Sequence, residues 1–171
     1  MKTEEHTTEF SADGFRFAIV MSRWHRDMTS KLESVARATL AAYGADKKAI
    51  ITYEVPGAFE LPLVCLKAAE SGNFEAVIAL GVVIRGETPH FEYVAGQAAR
   101  GIINASMQTG IPVMFGVITA DNLSQVVDRA GDNDDNKGHE AALAAIEMVN
   151  LLQKIASQGG HLGRKTFPHV V

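Results

Sequence analysis

One cysteine, Cys65, is present in the 171 residues, which excludes an internal disulfide and any multi-cysteine metal site. Its setting, LPLVCLKAA, reads as the buried face of a helix and marks an inert core thiol. Long apolar runs are also missing, and none approaches the roughly 18 residues of a membrane span. There is no excess of basic charge: the formal net charge is -4, so neither nucleic acid nor an anionic membrane is an expected partner. The opening MKTEEHTTEFSADG lacks the apolar centre of a secretion signal, and a soluble, cytoplasmic protein is expected. No GxGxxG, Walker or GxSxG motif occurs, which removes the commonest nucleotide and serine-hydrolase classes. The histidines at 6, 25, 90, 139, 161 and 169 show no metal-ligand spacing, so no metal is expected. DNDDNKG, from Asp132, resembles a calcium loop, but its glycine comes one place late and position twelve is Leu143. It is read instead as a polar turn between helices.

What is present is ordinary for a globular domain: 47% apolar and 21% charged residues. The boundaries expected are a single domain at 14–156, with tails at 1–13 and 157–171. Four apolar runs predict strands: FRFAIVM from Phe15, AIITYEV from Ala49, AVIALGVVI from Ala76 and PVMFGVI from Pro112. They are continuous rather than alternating, as suits parallel strands covered on both faces. Between them, Leu32, Val35, Ala36, Leu40 and Tyr43 recur at helical spacing and give one apolar stripe. A second helix is predicted from Phe91 to Gln108, weakened slightly by Gly96 and Gly101. A third, from about Gly138 to Ala156, is apolar at Leu143, Ile146, Val149, Leu152 and Ile155, a breadth that predicts burial against more than one neighbour. Alternating strands and helices imply right-handed crossovers and a three-layer α/β/α sandwich on a four-stranded parallel sheet.

In such sheets ligands bind beyond the carboxyl ends of the strands. The chemistry-bearing residues fall there. SRWH, with Trp24 and His25, follows the first run, and PGAFE, with Glu60, follows the second. RGETPH follows the third, while the fourth contains Phe115 and leads to TADN, Asp128 and Arg129. Each also has a plain structural reading. Trp24 alone is more often core filler, and Glu60 suits any helix N-terminus. His90 can cap the following helix, and Arg129 can make a surface ion pair. The conjunction is what carries chemistry. Backbone N–H groups around Gly86 open into a helix, where anions bind, and Arg129 can add a charged fork for the same phosphate. His90 stands where it can move a proton. Trp24, Val83 and Ile84 would hold a flat heterocycle. The residues by themselves therefore point to a pocket for a planar ring and a phosphate, with acid–base chemistry and no metal.

The blocks VPGAFELP, LGVVIRGETPHFEYV, PVMFGVITADN and DRAGDNDDNKGHEAALAAIEM, in this order, resemble the 6,7-dimethyl-8-ribityllumazine synthase family of riboflavin biosynthesis. The resemblance runs from about Phe15 to Ile155, and it implies a flavodoxin-like fold and a transferase that needs no cofactor. The family's reaction joins 5-amino-6-ribitylaminouracil to 3,4-dihydroxy-2-butanone 4-phosphate. By resemblance, Trp24 stacks on the ring with His25 beside it. Ala58, Phe59 and Glu60 line the ribityl chain, and Val82, Val83 and Ile84 border the ring. Gly86, Glu87 and Thr88 form the phosphate loop with Arg129, and His90 matches the proton-transfer histidine. Arg129, Phe115 and Lys137 are expected from a neighbouring subunit.

The resemblance also implies a homo-oligomer built of pentamers, with sites between subunits. The N-terminal segment is a candidate to add a strand to a neighbour's sheet, and riboflavin synthase is a candidate partner. Two departures stand out. Many relatives carry phenylalanine and asparagine where this chain has Trp24 and His25. Shell-forming members often carry a connector resembling GTKAGN where this chain has GDNDDN, and the carboxylates of Asp132, Asp134 and Asp135 would repel across a contact between pentamers. A pair of pentamers is therefore expected rather than a shell. A flavin or lumazine carrier with weak turnover is the alternative function.

Overall fold

The computed structural model describes residues 10–131, 133 and 135–158. Four parallel strands form one sheet: β1 (Phe17–Ser22), β2 (Ile50–Val55), β3 (Ala76–Ile84) and β4 (Val113–Ala120), in the order β2-β1-β3-β4. Five helices cover it: α1 (Arg26–Ala42), α2 (Leu61–Glu70), α3 (His90–Thr109), α4 (Leu123–Ala130) and α5 (Lys137–Gln158). This is the three-layer α/β/α sandwich that the alternating strands and helices predict, and the flavodoxin-like fold that the resemblance implies. β2 lies within its run and β3 occupies its run from end to end, whereas β1 continues to Ser22 and β4 to Ala120, beyond the ends of theirs.

Two-sided burial explains the continuous hydrophobicity. Successive strand side chains point to opposite faces. Phe17, Ile19, Ile78 and Leu80 thus join Leu32, Leu40 and Ile146 beneath α1 and α5. Ala18, Val20, Val77 and Val117 join Leu61, Cys65 and Ile102 beneath α2 and α3. All six residues of β1 are buried. Complete burial of a side chain such as Ile78 stabilises the fold by about 1.5–3 kcal/mol. Cys65 is fully buried, as its helical face predicts, and desolvation pushes its thiol up to about 12.

Three details differ from the sequence pattern. Tyr43 ends α1 rather than extending its apolar stripe, and its ring is exposed. Thr39 takes the buried place, its hydroxyl 2.9 Å from both the Val35 carbonyl and His139 Nδ1 on α5. α5 is buried against β3, β4 and α1 through Ala141, Ala142, Ala145, Ile146 and Val149, as its broad apolar surface predicts, but Ile155 of that surface stands 56% exposed. Gly101 is no mere weak point in α3: a Cβ there would collide with Pro62, so its absence lets α2 and α3 approach. Gly96 has no such neighbour.

At the amino end, Ala12 is fully buried and donates its N–H to the Tyr43 carbonyl. Phe10 packs against the α1/α5 core. Ser157 and Gln158 belong to α5. Of the N-terminal segment 1–13, for which strand addition is expected, residues 1–9 lie outside the described residues, as does the rest of the C-terminal tail. Of the connector GDNDDN, only Asp132 and Asp134 lie outside the described residues. Among the described residues no helix is long and apolar enough to cross a membrane.

Candidate active site

A cavity of about 540 Å³ opens beyond the carboxyl ends of β1, β2 and β3. The parallel topology positions it, because every one of these strands delivers its following loop to the same edge of the sheet. Three segments converge there.

The first follows β1. The Arg23 N–H bonds to the Val55 carbonyl and the Trp24 N–H to the Pro56 carbonyl, so this segment runs alongside the exit from β2. His25 then turns the chain into α1 with φ 56° and ψ 45°. It is the one non-glycine residue at positive φ among those described, a conformation that costs energy and clusters at functional sites. Its imidazole makes no helix-capping hydrogen bond. Trp24 and His25 both line the cavity, and Trp24 is 67% exposed rather than core filler.

The second follows β2. A short turn at Ala58–Glu60 leads into α2, and Glu60 Oε2 accepts the Gly57 N–H at 2.8 Å. Gly57 has extended backbone, so its freedom to turn is not what the site needs. What it supplies is space. A Cβ would sit 3.2 Å from Glu60 Oε2 and 3.8 Å from the Trp24 ring. Ala58, Phe59 and Glu60 all face the cavity.

The third is the end of β3 and the start of α3. Val82, Val83 and Ile84 line the cavity, followed by Gly86, Thr88 and His90. Pro89 precedes the first helical residue, and no side chain caps α3. His90 is therefore not spent as a cap. Phe91, Tyr93 and Val94 complete the wall. The sequence reading missed them, although Tyr93 and Val94 lie three and four residues beyond His90 and so share its helical face.

Ion pairs brace this third segment. Arg85 Nε donates to Asp121 Oδ1 at 2.9 Å and its NH1 to Glu92 Oε1 at 2.6 Å. Its guanidinium also lies 4.3 Å from the centre of the Phe91 ring. Hydrogen bonds to Glu92 and then Asp121 raise the Arg85 pKa further above its ordinary value.

Four expected site residues lie outside the cavity: Glu87, Phe115, Arg129 and Lys137. Phe115 stands 47% exposed on the edge strand β4. Arg129 NH1 donates to the Gln125 carbonyl of its own helix, and among the described residues no carboxylate pairs with it. Lys137 Nζ pairs with Glu140 at 2.6 Å. No lysine or arginine lines the cavity among the described residues. The phosphate fork that Arg129 was expected to supply is thus not assembled within one chain.

Comparison with known proteins identifies the family. Residues 14–153 match the family model described as 6,7-dimethyl-8-ribityllumazine synthase. The chain is 53% identical over 144 residues to a protein of that name from Syntrophus aciditrophicus (strain SB), covering 84% of this chain and 94% of the relative. It is 47% identical over 154 residues to one from Chlorobium phaeobacteroides (strain DSM 266 / SMG 266 / 2430), covering 90% and 99%. The match to one from Chlorobium chlorochromatii (strain CaD3) is 47% over 155 residues, covering 91% and 100%.

Proposed function

The chain belongs to the 6,7-dimethyl-8-ribityllumazine synthase family, and on that premise we propose how the cavity and its rim carry out the reaction. The enzyme condenses 5-amino-6-ribitylaminouracil with 3,4-dihydroxy-2-butanone 4-phosphate in riboflavin biosynthesis. The observation that carries the assignment of roles is the convergence of Trp24, Glu60, Gly86, Thr88 and His90 on one cavity.

The pyrimidine ring lies against the exposed face of Trp24, with His25 beside it and Val82, Val83 and Ile84 along its edge. Glu60 accepts from the ribityl hydroxyls through the oxygen left over after Oε2 has bound the Gly57 N–H, while Ala58 and Phe59 flank the chain. The phosphate sits at the start of α3, against the backbone of Gly86, Glu87 and Thr88, where unpaired N–H groups and the helix dipole favour an anion. The 5-amino group attacks the ketone, and an imine forms with loss of water. Removal of a proton and expulsion of phosphate follow, with His90 carrying the proton. The ribitylamino nitrogen then closes the second ring with loss of another water. Holding two substrates in register supplies much of the rate.

Among the described residues no lysine or arginine lines the cavity to meet such a phosphate, and Arg85 is already paired with two carboxylates. Arg129 of a neighbouring copy supplies the cation, with Phe115 and Lys137 from the same neighbour closing the ring end. This reading is supported by large apolar side chains left exposed on these elements, Phe115 on β4 and Leu123 and Val127 one turn apart on α4. A face meeting a different face in the next copy closes into a ring. We take the ring to be a pentamer, two of which associate, and riboflavin synthase to be a partner.

Lumazine formation from both substrates tests the assignment. Turnover well above the uncatalysed condensation is expected, with His90→Ala lowering kcat by about a hundredfold. Tight flavin binding with background turnover would instead mark a carrier.

A further inference from the structure

We infer that Arg85 is a positioning residue: one guanidinium ties the end of β3, the start of α3 and the exit of β4 together, and so sets the phosphate loop and His90 without touching substrate. The inference rests on the phosphate loop proposed above. Arg85 immediately precedes Gly86, and its NH1 reaches across the loop to Glu92 in the first turn of α3. The salt bridge therefore clamps Gly86–His90 between two fixed points, where no side-chain cap holds α3. The Nε bond reaches sideways to Asp121, just past β4, continuing the pairing in which the Arg85 N–H meets the Ala120 carbonyl at 2.8 Å. The flat face of the same group covers Phe91, whose ring is buried and lines the cavity.

Stability does not explain this arrangement. The three charged side chains are between 44% and 64% exposed, and ion pairs in such settings contribute little. Orientation does explain it, because two directed bonds and a stacked ring fix a planar fork in one pose. A lysine offers a point charge that cannot reproduce all three contacts. Nor is the group a free phosphate ligand, since its charge faces two carboxylates and it lies off the cavity wall.

The test is steady-state kinetics on wild type, Arg85→Lys and Glu92→Gln, with each substrate varied in turn. Melting temperatures and the affinity for inorganic phosphate are measured on the same preparations. Arg85→Lys is expected to raise KM for the butanone phosphate about tenfold while KM for the pyrimidine stays within about twofold. Glu92→Gln moves the same constant in the same direction by less, and both variants lose phosphate affinity with little change in melting temperature. Unchanged KM and phosphate affinity in both variants would overturn the inference. So would a Glu92→Gln variant that binds phosphate more tightly, because a released Arg85 would then be contacting the anion directly. A wild type without turnover that still binds phosphate in an Arg85-dependent way would sink the synthase reading and leave the positioning role standing. Without such binding, both would fall.

Discussion

The rim beyond β1, β2 and β3 and the edge formed by β4 and α4 carry residues of one proposed site, yet only the first assembles a cavity. At the rim, Trp24, Glu60 and His90 are brought together by neighbouring strands of one sheet. At the edge, Phe115 and Arg129 are exposed, with Arg129 bonded to nothing but its own helix among the described residues, while Lys137 is half-buried at the start of α5. The difference teaches that a strand's position in the sheet decides what its loop can do. Inner strands β1 and β3 and their neighbour β2 serve the chain's own cavity. In the proposed assembly the outermost strand on the other side serves the next copy.

Removing the edge cation is the strongest way to break this comparison. Arg129→Ala is expected to raise KM for the butanone phosphate about a hundredfold, as the loss of a charge-assisted contact to an anion should. Its effect on stability should stay within about 0.5 kcal/mol, because no ion pair is lost among the described residues. An equal loss in the use of both substrates would place Arg129 in the fold rather than in the phosphate site. At the rim, Trp24→Ala should weaken binding of the pyrimidine by about 1–3 kcal/mol, the value of a ring stacked on an aromatic face. Titration with the pyrimidine checks it, and unchanged affinity would return Trp24 to being surface.

The smallest effect lies just beneath the rim. Ser22 Oγ is buried without a hydrogen-bond partner, in a space shared with Gly81. Ser22→Ala should raise stability by about 1 kcal/mol in chemical denaturation, since an unsatisfied hydroxyl is removed and nothing is left unpaired. A fall would mean that an ordered water bridges the hydroxyl to its surroundings.

Much of the rim was legible because strand ends gather chemistry in this class of fold, so SRWH, PGAFE and RGETPH announced themselves by position. The strands were legible because burial on both faces leaves an unbroken apolar run. What escaped depends on contacts across the chain. Tyr43 and Thr39 both suit the face of α1, and only packing against His139 on α5 chooses between them. The role of Gly101 needs Pro62 as its neighbour. Arg85 looked like one more polar residue in a crowded turn, for neither Glu92 nor Asp121 marks itself as its partner by spacing alone. The residue reading by itself also put Arg129 on the same phosphate as Gly86, since sequence order does not say which copy of a chain a side chain serves. The family resemblance pointed to the neighbour.

The claim that sites are shared between copies is tested most directly by complementation. His90→Ala and Arg129→Ala chains are each impaired, and the two are to be co-expressed and co-purified as mixed oligomers. If the two side chains come from different copies, some interfaces carry both intact residues. Turnover then recovers to about a quarter of the wild-type value at equal mixing in a head-to-tail ring. Mixed oligomers no more active than the average of the two parents would contradict the account, and would mean that His90 and Arg129 serve one site within a single chain.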